Sequence, residues 1–222
     1  LPTTGTPPYK AVIYFPGGNA TKISRFARNP LWEPWDAIPK SGRVFITPIY
    51  SGTFERGGGS PDWMYKSWAV RLSEWVQDLG RTIDYLETRK DIDTKNIAYL
   101  GLSLGGIIGP GLSAYEDRIK AIILVGGGIA FPAAMPKPTG FATPHATAPT
   151  LMLNGRHDFN FPVETHQKPM FDLIGTSPEH KKHVIYECGH IPPRAPMLKE
   201  IMAWLDKYQG PVNSREPEKE IK

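Results

Sequence analysis

Residues 96–106 read NIAYLGLSLGG. Ile97–Leu100 is a short apolar run of the kind that forms a buried strand. Gly101, Leu102, Ser103, Leu104 and Gly105 then match G-x-S-x-G, and Gly106, Ile107 and Ile108 are small or apolar, fit to open a helix packed on a sheet. A serine held in a sharp strand-to-helix turn projects its hydroxyl above the sheet. Side chains at positions 101 and 105 would collide with neighbouring backbone in so tight a turn, which is the reason for glycine there. The helix begins beneath the serine, so its free N–H groups and positive end face any anion that forms nearby. The plainer reading of the pentapeptide is a glycine-rich turn with an incidental serine. The strand before it and the small residues after it favour a nucleophile.

Outward from this stretch, apolar strand runs alternate with helical patterns. Lys10–Phe15, Arg43–Pro48, Ile119–Val125, Thr150–Leu153 and Lys182–Glu187 read as further strands. Trp68, Leu72, Val76, Leu79, Ile83 and Leu86 recur at helical spacing and predict one long amphipathic helix over about 66–89. Arg194–Tyr208 carries a final amphipathic helix, 162–174 a helix with Pro169 as a misfit, and 20–28 a short helix. Pro110 predicts a kink or an early stop in the helix after the serine. Residues 31–41 read as a loop or broken helix, and 49–62 as a long glycine-rich loop that is flexible at Gly57–Gly59. The segment 126–148 is rich in Gly, Pro and Ala without a helical apolar period, so a minimal lid is expected. Strands apolar on both faces, separated by helices, mean an α/β protein with a mostly parallel sheet and helices on both faces. Residues 1–9 form an extended lead-in, 10–210 a single domain and 211–222 a charged tail.

The chain has 222 residues, enough for one sizeable domain. Its net charge is only +4, with basic and acidic residues interspersed, which describes a solvated surface rather than a nucleic-acid footprint. No apolar run is long enough for a membrane span. The single cysteine, Cys188, forms no internal disulfide and reads as a small buried residue. The histidines lack ligand spacing, so no metal is expected. A soluble chain is expected, bacterial cytoplasmic or an excised domain of a larger protein. Compartment and oligomeric state are left open.

In a parallel sheet, sites form in the loops at the C-terminal strand ends. After the first strand come Pro16-Gly17-Gly18-Asn19, then Ser103, Asp158 and His190 each follow a strand of their own. All four therefore gather at one edge. A serine hydroxyl needs an adjacent base, a role assigned to His190, and Asp158 would hold the imidazole in its working tautomer. Asp172, inside a helical stretch, and Glu187, just before its loop, are the rival carboxylates, and His157 is the rival imidazole. The N–H groups of Gly18 and Leu104 are the candidate oxyanion donors. Gly17 or Asn19 could stand in for Gly18, and Pro16, lacking an N–H, could not. The loop aromatics Phe54, Trp63, Phe131, Phe159 and Phe161 either line an apolar pocket or simply pack.

YFPGGN at 14–19, IDYLETRKDID at 83–93, GLSLGG at 101–106, NGRHD at 154–158 and CGH at 188–190 together resemble the α/β-hydrolases. More narrowly, they resemble the dienelactone hydrolase and prolyl-oligopeptidase-like esterase group. The resemblance covers about residues 10–208. It implies a three-layer α/β-hydrolase fold and a Ser-His-Asp carboxylic ester hydrolase without a cofactor, acting on a small-molecule ester through an acyl-enzyme. Two departures matter. Dienelactone hydrolases proper use a cysteine nucleophile where this chain has Ser103, which argues against dienelactone itself as substrate. The large propeller of prolyl oligopeptidases is absent. A serine peptidase, for which Glu55 is the only loop carboxylate placed to catch an α-amine, and a non-catalytic hydrolase-fold binding module are the alternative readings.

Overall fold

The computed structural model describes residues 1–2, 4–26, 35–60, 66–129 and 141–212. Strands β1 (Tyr9–Phe15), β2 (Val44–Ile46), β3 (Ile92–Leu102), β4 (Ile119–Val125), β5 (Thr150–Gly155) and β6 (Lys181–Tyr186) form one sheet in the order β2-β1-β3-β4-β5-β6. Every neighbouring pair is parallel. Among the described residues the α-helices are α1 (Ala37–Lys40), α2 (Trp68–Glu87), α3 (Leu104–Ser113), α4 (Lys168–Leu173) and α5 (Arg194–Gln209).

The two-residue period of the strands sorts the core into two layers. Ala11, Ile13 and Phe15 of β1 and Ile97 and Tyr99 of β3 pack with Trp75, Leu79 and Ile83 of α2, Ile108 and Leu112 of α3 and Met170 of α4. Val12, Tyr14, Ala98 and Leu100 point the other way, onto Ile38 of α1 and Met197, Ile201 and Leu205 of α5. Burying each such side chain contributes about 1.5–3 kcal/mol, so both faces of the sheet must be covered. The result is three layers, as the alternation of patterns predicts.

The order of strands reverses at β1. The chain steps from β1 to β2 on one side and from β3 outward to β6 on the other. The chain therefore leaves β1 and β3 in opposite directions at the C-terminal edge, the position at which parallel sheets bind ligands.

Several local elements differ from expectation for identifiable reasons. β3 begins at Ile92 rather than Ile97, because Ile92 and Asp93 also pair with Tyr9 and Lys10 across a register shift. The helix expected over 20–28 is a single 3₁₀ turn, Gly18–Thr21, in which Thr21 Oγ1 donates to the Gly18 carbonyl at 2.7 Å. Residues 27 and 28 lie outside the described residues. α3 passes through Pro110 and ends at Ser113. The segment 162–174 splits into a π-helical turn, Val163–Gln167, and α4, which places Pro169 in a first helical turn, where its missing N–H is no loss. Ser67 caps α2 by accepting from the Val70 N–H. Of the lid segment, 130–140 lies outside the described residues.

The start of the loop after β2 is tied to α2. The Ser51 carbonyl accepts from Trp75 Nε1 at 2.9 Å, and its N–H donates to Asp78. A Cβ on Gly58 would lie 2.1 Å from the Ile23 carbonyl oxygen, so the glycine there lets two backbones touch.

Candidate active site

The turn after β3 is the strained point of the sheet. Ser103 has φ 50° and ψ −102°, a region that L-residues rarely adopt. Its N–H donates to the Val125 carbonyl of β4 at 2.7 Å, and its carbonyl accepts the first helical bond of α3 from Ile107. These bonds lock the turn from both sides. A Cβ on Gly101 would stand 2.2 Å from the Gly105 oxygen, and one on Gly105 would stand 2.3 Å from the Phe15 oxygen. Tyr99 Oη donates to the same Gly105 carbonyl at 2.8 Å. Gly105→Ala is therefore expected to lower the unfolding free energy by about 3 kcal/mol in urea denaturation, the scale of an overpacked core.

The loops after β5 and β6 are zipped together. The Arg156 N–H donates to the Tyr186 carbonyl at 2.8 Å and the His157 N–H to the Cys188 carbonyl at 2.9 Å. Gly155 permits this closeness, since its Cβ would meet the Gly189 oxygen at 1.8 Å. The zipper sets Asp158 beside His190, with Asp158 Oδ2 2.7 Å from His190 Nδ1. His190 Nε2 is in turn 2.9 Å from Ser103 Oγ. The other carboxylate oxygen, Oδ1, accepts from the N–H groups of Asn160 (2.9 Å) and Phe161 (3.2 Å). The Asp158 side chain has no exposed surface, yet both of its oxygens are hydrogen-bonded. That is what allows a carboxylate to stay buried. His190 also lies against Gly126, whose φ is 59° and whose absent Cβ would come within 2.9 Å of the His190 carbonyl oxygen.

The structure thus brings together Ser103, Asp158 and His190 and leaves the rivals elsewhere. Asp172 pairs with Lys168 on α4, and Glu187 pairs with Arg156 and, at 3.2 Å, with the exposed His157. Glu55 accepts from the Phe26 N–H at 2.9 Å. Cys188 is half-buried rather than buried, and burial, with Asp158 and Glu187 nearby, pushes its thiol up, away from the reactive thiolate. Phe54 is buried and packs edge-on against Phe26, Phe159 is exposed, and Phe161 lies 5.8 Å from the His190 ring. Trp63 and Phe131 lie outside the described residues.

Near this site, two stretches of backbone N–H groups have no ladder partner among the described residues. In the 3₁₀ turn the first ladder bond runs from Ala20 to Gly17, so the N–H groups of Gly18 and Asn19 precede it. In α3 the first ladder bond begins at Ile107, which leaves the N–H of Leu104 ahead of the ladder. Gly17 sits against the serine, with its Cβ position 3.6 Å from Ser103 Cβ.

Behind the site, Asn154 Nδ2 donates to the Gly127 carbonyl at 2.7 Å, so its Oδ1 accepts from His183 Nε2 at 3.2 Å. Burial holds the His183 imidazole down to about 4 from its ordinary 6.5, with Asp172 opposing weakly. Between those two values the unfolded chain binds the extra proton. The stability that His183 contributes is therefore complete above 6.5 and is lost as pH falls toward 4. His183→Gln is expected to flatten the fall in Tm between pH 6.5 and 4, as read by thermal melts. Sequence reading missed Asn154, His183, Gly126 and Gly155 as supports of the site. Only the polarity of Asn154 inside an apolar strand signals any of them.

Among the described residues no group of three or more His, Cys, Asp or Glu is arranged to hold a metal ion, and no helix is long and apolar enough to cross a membrane. No curated protein matches the chain. Solved structures of the same fold do. The 2,6-dihydroxy-pseudo-oxynicotine hydrolase superposes with a TM-score of 0.68 at 19% identity, covering 98% of this chain and 67% of that one. The acetyl xylan esterase of Paenibacillus sp. R4 gives 0.66 at 17% identity, covering 92% and 76%. Est1E of Butyrivibrio proteoclasticus, solved with ferulic acid bound, gives 0.62 at 14% identity, covering 90% and 88%. The family model for dienelactone hydrolases matches residues 42–190, a span that takes in Ser103, Asp158 and His190, and the chain belongs to the dienelactone hydrolase family.

Proposed function

We propose that the protein hydrolyses carboxylic esters of small acyl groups, with Ser103 as nucleophile, His190 as general base and acid and Asp158 as its partner. The observation that carries this reading is the continuous hydrogen-bonded chain from Ser103 Oγ through both nitrogens of His190 to Asp158. Ser103 Oγ attacks the ester carbonyl while its proton passes to His190 Nε2. The imidazolium so formed is stabilised by the buried carboxylate. The negative charge on the carbonyl oxygen meets the N–H groups of Leu104 and Gly18, worth roughly 3 kcal/mol each. Collapse of this intermediate expels the alkoxide, which takes the proton from His190 and leaves an acyl-serine. Water, activated by the same imidazole, then frees the acid and restores the serine.

A serine in place of the cysteine of dienelactone hydrolases proper favours ordinary esters over dienelactone. The esterases among the structural neighbours support the same direction. A panel of p-nitrophenyl esters of rising acyl length, set beside a peptide p-nitroanilide, tests the proposal. Turnover falling with acyl length, and an anilide rate at least about a hundredfold below that of the acetate, is expected. Faster cleavage of the anilide would move the assignment to a peptidase.

A further inference from the structure

Gln167 is fully buried on the π-helical turn and plays no part in the chemistry above. Both N–H bonds of its amide are in use. Nε2 donates to the Gly155 carbonyl at 2.8 Å and to the Phe161 carbonyl at 2.7 Å. These two carbonyls mark the ends of the loop that carries Asp158. Gly155 is the last residue of β5, and the Phe161 N–H holds Asp158 Oδ1. The ring of Phe161 lies 5.8 Å from the His190 ring at an interplanar angle of 33°. Phe161 therefore touches three groups at once, through its amide, its carbonyl and its ring. Gln167 Oε1 is buried and has no hydrogen-bond partner among the described residues. An unsatisfied buried acceptor costs stability, so the site gives up some stability to place the two donors here. A π-turn is a costly insertion that recurs at functional sites, and here it is the element that carries Gln167.

We infer that Gln167 is a positioning residue, which closes the loop 155–161 and through Phe161 fixes Asp158 and His190 in their mutual geometry. This inference rests on the triad reading above. Gln167→Leu keeps the bulk and removes both donors. Its expected effect is a 10- to 100-fold loss of kcat toward p-nitrophenyl acetate, with KM within about twofold of wild type. The acid limb of the kcat/KM–pH profile should move to lower pH, because a loosened carboxylate stabilises the imidazolium less. In an Asp158→Asn background the same change should cost less than threefold, since the group it positions is already disabled.

Wild-type kcat and an unmoved pH limb in Gln167→Leu would overturn the inference. So would an equal loss in both backgrounds, which marks a general structural role. If Gln167→Leu does not fold by circular dichroism, Gln167→Met serves instead. It also removes both donors to the Gly155 and Phe161 carbonyls and carries the same expectations for kcat, pH limb and background dependence. Failure of the triad reading itself is distinguished by Ser103→Ala, which would then retain activity whatever position 167 does.

Discussion

Ser103→Ala is expected to lower ester turnover by about four orders of magnitude or more, with KM little changed and the fold intact. The size follows from the geometry. Without Oγ no acyl-enzyme forms, and His190 can at most activate a water that nothing holds in line. What survives is the catalysis of the oxyanion donors and binding alone. The variant should be about as stable as wild type, because alanine at φ 50° suffers the same backbone strain as serine. Ser103→Gly, equally inactive, is expected to be about 1 kcal/mol more stable than Ser103→Ala in urea denaturation, since glycine adopts this backbone freely. That pair separates the strain held at the turn from the chemistry it presents. An alanine variant with wild-type kcat would remove the nucleophile from the mechanism.

Asp158→Asn is expected to cost kcat about four orders of magnitude too, for a different reason. The asparagine oxygen can keep the bonds from Asn160 and Phe161 that Oδ1 now accepts. Its amide nitrogen then faces His190 Nδ1, where Oδ2 stands now. An N–H pointing at Nδ1 forces the proton of the neutral imidazole onto Nε2. In that tautomer Nε2 donates toward Ser103 and cannot accept its proton. Side-chain volume and burial hardly change, so Tm should stay within a few degrees of wild type while activity collapses. Rates kept within tenfold, measured with p-nitrophenyl acetate at pH 8, would show that Asp158 does not set the tautomer.

The layers of the fold were legible because burial on both faces leaves a plain mark. Runs such as Ile119–Val125 are apolar at every position but the exposed Lys120, and the strand bounds found there agree with those read from the chain. The stripe on α2 was also legible, although Trp75, not Val76, is its buried centre. Elements set by a few polar contacts were not. The 3₁₀ turn at Gly18–Thr21 ends where Thr21 bonds its own turn, and the split at Gln167 depends on where two carbonyls lie in space. The glycines at 101 and 105 could be read as obligatory because the turn motif demands them. Those at 126 and 155 could not, because the atoms they make room for belong to the His190 loop, far along the chain. Ser103, Asp158 and His190 were readable as a group since each follows a strand, and parallel strands deliver their ends to one edge. Gln167 follows no such rule.

Mapping the site of fluorophosphonate attachment by peptide mass spectrometry tests the central assignment most directly. Only a nucleophile activated by its neighbours reacts quickly with this reagent. The expected result is one adduct, on Ser103, in the folded wild-type protein, with no adduct over the same interval in His190→Ala or after unfolding in urea. An unlabelled wild-type protein, or an adduct on a residue other than Ser103, would contradict it.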